Sequence, residues 1–361
     1  MKLIEEYRDK ELVLMLADRI RLTATGKYSF MEVCGGHTSS IHRFGIPALL
    51  PPGIKLISGP GCPVCVTGTD FIDRAVLYSQ KPKVIIVTFG DLIRVPGSSS
   101  SLEKEKMKGA DVRIVFSGLE ALNIARSNRD KIIIFLGIGF ETTAPGSAVT
   151  VKQAKEEGLN NFLLLSAHKI MPPVLDAIVK EGIQIDGFIC PGHVATITGS
   201  RIFEFLPENY GLACVVTGFE PVDLLQSVLM LVRQINRKAP VVEIQYTRAV
   251  TSAGNIIARR LLSEVFEFAD ATWRGFGLIP GSGLILKKEY EDFDAAKRIP
   301  VTVLQKNENP KCICGAILRG LKTPYNCTLF RSVCTPENPV GACMVSAEGA
   351  CNTYFKYLHH E

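Results

Sequence analysis

The sequence predicts an α/β protein with two related parallel-sheet domains around a cleft, followed by a third, α+β domain that is rich in cysteine. Two observations lead to this prediction. Short, wholly apolar runs alternate with helical patterns over most of the chain, as in parallel sheets that helices cover on both faces. Beyond residue 239 the alternation stops, and six of the 11 cysteines fall within the stretch 312–351. A length of 361 residues allows about two or three domains.

The predicted elements begin with a helix over residues 5–23, where apolar side chains recur at helical spacing. The apolar runs that predict strands are 54–58, 84–87, 112–116, 132–136, 162–165, 187–189 and 214–216. Helices are predicted over 70–79 and 221–237, and most strands lead into a loop with Gly or Pro. Farther along, the sequence predicts a strand over 241–246, a helix over 255–268 and a glycine-rich stretch over 275–283.

This order of elements predicts four regions. Residues 1–30 contain a helix that we expect to pack with the C-terminal region. Residues 31–146 and 147–238 form the two α/β domains, and residues 239–361 form the cysteine-rich domain. Loops at the carboxyl ends of parallel strands are where such folds bind ligands, so we expect the functional residues there.

Composition argues against two classes of protein. The net charge is only +5 and the basic residues are scattered, which does not favour a nucleic-acid partner. No run approaches the roughly 18 apolar residues of a membrane span, and residues 1–10 lack the apolar core of a signal peptide. We therefore expect a cytoplasmic protein without a membrane partner. Cysteines in that reducing compartment rarely form structural disulfides, which favours metal binding or catalytic redox chemistry.

Two loops near the N-terminus carry reactive side chains. Cys62 and Cys65 form a Cys-x-x-Cys pair in the stretch Gly59-Pro60-Gly61-Cys62-Pro63-Val64-Cys65. Such a pair can close a disulfide, bind a metal, do both at different times, or simply fill a turn as two small apolar side chains. Cys34 and His37 lie upstream on a Gly-Gly turn, where the backbone can approach a ligand closely. We interpret Cys34, His37, Cys62 and Cys65 as the candidate catalytic residues.

Other loops at strand ends offer further polar groups. Glu141 and Thr142 follow a Gly-x-Gly turn that lacks the third glycine of a dinucleotide loop, so they are candidates to line a cleft instead. His168 and His193 each follow an apolar strand, and each is either a ligand-binding or a structural histidine. Cys190 and Cys214 lie within apolar runs and are interpreted as core thiols.

The C-terminal cysteines indicate a bound metal group. They are Cys312, Cys314, Cys327, Cys334, Cys343 and Cys351. Wide, irregular spacings with intervening prolines suit a [4Fe–4S] cluster wrapped by loops better than a zinc site with two close pairs. Zinc and oxidised pairs remain alternatives. Four of the six thiols would bind the cluster, and we favour Cys314, Cys327, Cys334 and Cys351.

Several of these motifs together resemble one family. The chain is similar to the HypD family of hydrogenase maturation factors over nearly its whole length. The matching motifs include Cys34-Gly35-Gly36-His37-Thr38, the Gly59–Cys65 stretch, Gly139-Phe140-Glu141-Thr142-Thr143-Ala144-Pro145, Pro191-Gly192-His193, and the segments around Cys334, Cys343 and Glu348-Gly349-Ala350-Cys351. Their common order makes a chance match very improbable.

The resemblance implies a function. Members of this family are scaffolds for the iron–dicyano–carbonyl group, Fe(CN)2CO, of [NiFe] hydrogenase. They bind a HypC-type small chaperone that shares the iron, and a HypE-type partner donates the cyanide. By this resemblance Cys34 binds the iron, Cys62 and Cys65 form a thiol/disulfide pair beside it, and a [4Fe–4S] cluster supplies electrons. The roles of Cys312 and Cys343 stay open. His37 is our own hypothesis for a donor to a bound cyanide or for an acid.

Two other functions remain as alternatives. The chain could be an iron–sulfur disulfide reductase acting through Cys62 and Cys65, or a structural iron–sulfur protein with inert thiols. Cys34 separates the first alternative from the scaffold, because a reductase has no need of a third thiol. Whether the protein is itself an enzyme is left undecided by the sequence, although an assembly scaffold with redox activity is the favoured interpretation.

Overall fold

The computed structural model describes residues 4–303 and 309–358, and it confirms the predicted α/β class. The strands of these residues are β1 (Tyr28–Glu32), β2 (Ile54–Ser58), β3 (Val84–Thr88), β4 (Val112–Ile114), β5 (Ile132–Gly139), β6 (Phe162–His168), β7 (Gly187–Pro191), β8 (Ala213–Thr217), β9 (Val242–Ile244), β10 (Phe266–Trp273) and β11 (Gly277–Leu286). They form two parallel sheets and one antiparallel hairpin.

Helices cover both sheets. The α-helices are α1 (Lys10–Thr23), α2 (Gly35–Arg43), α3 (Ile46–Leu49), α4 (Pro63–Val66), α5 (Thr69–Ser79), α6 (Leu102–Met107), α7 (Gly118–Ser127), α8 (Ala144–Glu156), α9 (Met171–Lys180), α10 (Gly192–Thr198), α11 (Phe205–Tyr210), α12 (Pro221–Asn236), α13 (Ile256–Val265), α14 (Ala295–Arg298), α15 (Cys314–Leu318), α16 (Ala342–Val345) and α17 (Ala350–Tyr357). Short 3-10 helices occur at Glu5–Arg8, Gly90–Arg94, Ser200–Phe203, Lys288–Phe293 and Pro324–Asn326. No helix of the described residues is long and apolar enough to cross a membrane.

The first sheet has the strand order β2-β1-β7-β8-β9, and the second has the order β4-β3-β5-β6. All neighbouring strands within these two sheets run parallel. Phe135 on β5 and Phe162 on β6 are almost completely buried. Their strands are continuous apolar runs because helices cover both faces of the sheet.

The strands of the two parallel sheets are interleaved along the chain. Strands β1 and β2 belong to the first sheet, the next four strands form the whole second sheet, and β7 belongs to the first sheet again. The predicted division between residues 146 and 147 falls inside α8. An apolar run marks a strand without indicating its neighbours, so the sequence did not predict this order of strands. Strand β1 was also missed, since Glu32 interrupts its apolar run.

Helix α1 packs on α12, where it buries Leu16, Ala17 and Ile20. The 3-10 helix before it also reaches the residues after β9, because the Arg248 guanidinium lies over the Tyr7 ring. Beyond its end, the Tyr28 hydroxyl donates to Oδ1 of Asn236 at 2.6 Å. The N-terminal helix therefore completes one face of the first sheet.

The region after residue 239 contains a hairpin that the sequence did not predict. The expected helix over 255–268 ends at Val265, and β10 starts at the next residue. The glycine-rich stretch forms part of the second hairpin strand, β11. In the segment 309–358, α16 packs on α4 and α17 packs on α2, which brings the C-terminal cysteines to the N-terminal loops.

A buried ion pair joins the first sheet to the residues that follow β9. The Asp223 side chain on α12 is completely buried and accepts two hydrogen bonds from the Arg248 guanidinium, at 2.7 and 2.6 Å. The same guanidinium lies over the Tyr7 ring, 3.6 Å from its centroid. One side chain thus connects the N-terminus, α12 and the β9 loop.

We expect Asp223→Ala to lower the free energy of unfolding by about 3–5 kcal/mol, because it leaves the Arg248 charge with no partner in a mostly buried position. The matched control is Asp111→Ala, which breaks an Arg113 pair whose side chains are about one-third exposed. That change should cost about 0–1 kcal/mol. Urea unfolding followed by circular dichroism measures both, and equal losses would contradict the prediction.

Candidate metal and thiol site

The carboxyl ends of four parallel strands meet at one edge of the first sheet. Cys34 follows β1, Cys62 follows β2, His193 follows β7 and Phe219 follows β8. Parallel strands necessarily bring these loops together, as the topology of α/β folds requires. Neighbouring loops and the first turns of the helices after them therefore carry all of the predicted residues Cys34, His37, Cys62, Cys65 and His193.

The Cys34 and Cys62 loops pack backbone against backbone. The Gly35 amide donates to the Gly61 carbonyl at 3.0 Å, and the Gly59 amide donates to the Glu32 carbonyl at 2.8 Å. A β-carbon on Gly61 would lie 2.2 Å from the Cys34 nitrogen. Only glycine allows this approach, which explains why the Gly-Pro-Gly stretch precedes Cys62.

Cys34 lies in a buried, electronegative environment at the start of α2. Its amide donates to Oε2 of Glu32 at 3.3 Å, and the Thr38 hydroxyl donates to Oε1 of the same carboxyl at 2.6 Å. Burial, followed by the nearby Glu348 charge, raises the pKa of the Cys34 thiol to about 12. Burial also raises the pKa of Glu32 to about 8. The free thiol is therefore protonated at neutral pH, and binding to a metal would release that proton.

His37 is completely buried beside two carbonyl groups. Its Nε2 lies 3.1 Å from the Thr217 carbonyl oxygen and 3.0 Å from that of Gly218, so this nitrogen carries the proton and donates. Nδ1 has no hydrogen-bond partner in the described part of the chain. Burial lowers the pKa of His37 to about 4. In this tautomer the free nitrogen is an acceptor, so donation to a cyanide or action as an acid would require Nδ1 to carry the proton.

Phe219 connects the two histidines of the site. Its ring is stacked on His37, with centroids 4.6 Å apart, and on His193, with centroids 3.8 Å apart. His193, Phe219 and Glu348 line a surface pocket of about 410 Å³. A β-carbon on Gly36 would lie 3.2 Å from the Phe219 ring, so that glycine makes room for the stack. The pocket opens directly beside the Cys34 loop.

The Cys62–Cys65 pair lies at the start of α4. The Cys65 amide donates to the Cys62 sulfur at 3.3 Å, so Cys62 caps the helix. Cys65 is fully buried, and burial raises the pKa of its thiol well above the ordinary value, opposed by a hydrogen bond with Cys343. One thiol of the pair therefore contacts the C-terminal cysteines.

All six C-terminal cysteines line one narrow cavity of about 10 Å³. They are Cys312, Cys314, Cys327, Cys334, Cys343 and Cys351. The Cys314 and Cys343 sulfurs are 2.6 Å apart. Within the described residues, no three His, Cys, Asp or Glu side chains converge as ligands of a single metal ion. An all-sulfur donor set is the one that iron–sulfur clusters use, so the six thiols fit such a cluster by their chemistry.

The remaining predicted residues lie elsewhere. Glu141 is buried in a separate pocket with Phe266 and Leu284, and Thr142 beside it is half-buried. His168 is buried at the end of β6, where its Nε2 lies 2.8 Å from the Ser147 hydroxyl. Cys190 and Cys214 are completely buried in the core. The Glu141 loop thus does not contribute to the Cys34 pocket.

Sequence reasoning missed three residues of the site. Glu32 left a signal, since it is a charged residue in the middle of an otherwise apolar run. Glu348 lies within a motif that was recognised, but no role was assigned to it. Phe219 gave no signal, because an aromatic residue after a strand is ordinary. Its importance depends on the relative position of three loops that only the folded chain reveals.

We expect His168 to make unfolding depend on acidity. Burial lowers the pKa of His168 from 6.5 to about 4, so the unfolded chain takes up the proton first as the pH falls. The contribution of the neutral His168 to the free energy of unfolding is complete above pH 6.5. It falls between pH 6.5 and pH 4, by up to about 1.4 kcal/mol per pH unit. His168→Gln should lose stability less steeply than the wild type in urea unfolding between pH 7.5 and pH 4.5. Identical pH profiles would refute this assignment.

Comparisons with known proteins place the chain in a family. The sequence profile described as HypD, "Hydrogenase formation hypA family", matches residues 11–358. The chain is 46% identical to hydrogenase maturation factor HypD2 of Bradyrhizobium diazoefficiens, over 99% of this chain and 97% of that protein. It is 45% identical to HypD of Azotobacter vinelandii and 44% identical to HypD of Cupriavidus necator, with the same coverage. With these motifs in this order on this fold, the chain belongs to the HypD family of hydrogenase maturation factors.

Proposed function

We propose that this protein is a scaffold and redox protein for assembly of the Fe(CN)2CO group of [NiFe] hydrogenase. One observation supports it above all others. The Cys34 loop packs directly on the Cys62 loop, and Cys65 in turn contacts the cavity lined by six thiols. The thiol proposed to bind iron, the dithiol and the cavity proposed for the cluster are therefore contiguous. The names of the relatives, hydrogenase maturation factors, support the same assignment.

Cys34 is the residue proposed to bind the iron that is being assembled. A soft thiolate suits an iron that carries cyanide and carbonyl ligands. Burial keeps the thiol protonated until the metal displaces the proton, and Glu32 fixes the loop through the Cys34 amide. The pocket formed by His193, Phe219 and Glu348 offers a partly enclosed space next to that thiol.

Cys62 and Cys65 are proposed to cycle between dithiol and disulfide, a change of two electrons and two protons. A [4Fe–4S] cluster, when bound, supplies or accepts electrons one at a time. Cys314, Cys327, Cys334 and Cys351 are the proposed ligands of that cluster. Cys343 contacts both Cys65 and Cys314, which supports a role for Cys343 as the connection between the dithiol and the cavity.

The proposed partners are a HypC-type small chaperone and a HypE-type cyanide donor, and the proposed location is the cytoplasm. The pocket beside Cys34 supports the first contact, because a partner must reach that thiol to share its iron. All 11 cysteines are free thiols in the structure, in keeping with a reducing compartment.

We expect infrared bands of metal-bound cyanide and carbonyl in the protein purified without oxygen after co-production with the small chaperone. Cys34→Ala should lose these bands, because it removes the proposed iron ligand. The matched control is Cys190→Ala, which removes a fully buried thiol of the core and should keep them. Bands that persist in Cys34→Ala would exclude Cys34 as the ligand.

A second experiment distinguishes a proposed cluster ligand from the thiol proposed to connect the cluster with the dithiol. After anaerobic reconstitution, Cys334→Ala should lose iron, acid-labile sulfide and visible absorbance, because it removes a proposed ligand. Cys343→Ala should keep all three but slow the reduction of an oxidised Cys62–Cys65 pair, measured by thiol alkylation and mass spectrometry. Cluster loss in Cys343→Ala with retention in Cys334→Ala would reverse the assignment.

A second candidate, an iron–sulfur disulfide reductase, is favoured by one observation, the contact between Cys65 and Cys343. It requires the same dithiol and cluster but not Cys34. Normal disulfide turnover in Cys34→Ala combined with loss of the infrared bands would support the scaffold. Disulfide turnover in a wild-type protein that never shows those bands would favour the reductase.

A further inference from the structure

We propose that the pocket around Glu141 binds a peptide segment of a partner protein, with apolar side chains inside the pocket and an acidic side chain at its mouth. This Glu141 pocket has a volume of about 510 Å³ and is lined by Glu141, Ile202, Leu262, Phe266, Phe268 and Leu284, with Arg259 and Lys287 at the rim. It is distinct from the Cys34 pocket, so the inference goes beyond the proposed function.

Glu141 gives the pocket one unsatisfied polar atom. The side chain is only 4% exposed, and its Oε1 accepts a hydrogen bond from the Met171 amide at 2.9 Å. Its Oε2 has no hydrogen-bond partner among the described residues. A buried polar group without a partner is costly, and a bound ligand that supplies one removes that cost.

A peptide group matches this carboxyl in both of its protonation states. Burial raises the pKa of Glu141 to about 7, so the neutral and ionised forms are both present near neutral pH. The ionised form accepts from an N–H, and the neutral form donates to a C=O. A peptide group carries both, whereas an amine or a ketone carries only one.

The inner walls of the pocket are apolar, and a large apolar side chain is exposed at its mouth. Phe266 and Leu284 form a buried floor, while Phe268 at the mouth is 71% exposed. Ile256 and Ile257, at the start of the helix that supplies Leu262, are 71% and 81% exposed. Large apolar side chains exposed around a pocket are typical of a surface that binds another protein.

The strand that carries Phe266 and Phe268 has a free edge. β10 pairs with β11 on one side, and on the other side the described chain makes only one β-bridge, between Trp273 and Thr67 at the far end. Unpaired strand edges accept extended peptides through main-chain hydrogen bonds. This edge favours a peptide over a small molecule as the occupant.

The charges at the rim select an acidic segment. The Arg259 guanidinium donates to the Ala253 carbonyl and the Lys287 ammonium donates to the Ser263 carbonyl. Among the described residues, neither cation has a carboxylate partner within salt-bridge distance, and the acidic side chains that line the pocket with them are Glu267 and the buried Glu141. Complementary charge on a partner fixes its orientation and excludes basic segments.

The test uses two fluorescent tetrapeptide probes, acetyl-Leu-Leu-Glu-Leu-amide and its counterpart with lysine in place of the glutamate, measured by fluorescence anisotropy. The wild-type protein should bind the acidic probe saturably and about tenfold more tightly than the basic one. The double variant Arg259→Glu/Lys287→Glu should reverse that preference. Arg260→Glu changes an exposed neighbour outside the pocket and should leave it unchanged.

The variants Glu141→Leu and Phe268→Ser test whether the probe binds in the pocket itself. Both should weaken the acidic probe about tenfold, and the exposed position of Phe268 makes its variant safe for folding. The proposal is overturned if neither probe binds saturably, or if the charge-reversed protein keeps the wild-type preference. It is also overturned if an apolar dye without a peptide group displaces the probe and binds equally well in Glu141→Leu, since the pocket would then be only a general apolar cavity.

Discussion

The close contact between the Cys34 and Cys62 loops is the constraint on which the rest of the centre depends. Parallel pairing of β1 with β2 brings the two loops to the same edge, and Gly61 lets their backbones touch. The contact between these two loops also sets the position of the helices that follow. Helix α4 follows its N-cap residue Cys62 and places Cys65 against α16, and α16 forms one side of the cysteine cavity. A bulkier residue at position 61 would separate Cys34 from Cys62 and Cys65.

Burial gives the centre its chemical character. The thiols of Cys34 and Cys65 lie in surroundings that disfavour charge, so both have raised pKa values and are poor nucleophiles as free groups. A bound metal ion changes that balance, because its positive charge stabilises the thiolate. The same low dielectric that keeps the thiols protonated would strengthen a metal–thiolate bond. His37, kept neutral beside two carbonyls, adds no competing cation.

The sequence predicted the α/β class and located the thiol loops, because both are local features. An apolar run, a Gly-Pro-Gly turn and a Cys-x-x-Cys pair can each be recognised without knowing what lies opposite. Strand β1 was missed because Glu32 is buried by virtue of partners, Thr38 and the Cys34 amide, that only the folded loop supplies. The separation of Glu141 from the Cys34 pocket was equally inaccessible. It depends on the two sheets being distinct layers, whereas both loops share the same signature of a polar residue after an apolar strand.

The interleaved order of the strands governs when the centre can exist during synthesis. The second sheet is continuous in sequence and can form while the rest of the chain is still being made. Strand β1, in contrast, cannot pair on one side until β7 has been made. Cys65 cannot contact Cys343 until the C-terminal cysteines have been made. Domains made first fold first as a chain emerges from the ribosome. The three N-terminal thiols are therefore translated early but are enclosed late, so their buried surroundings belong to the finished protein and not to the growing one.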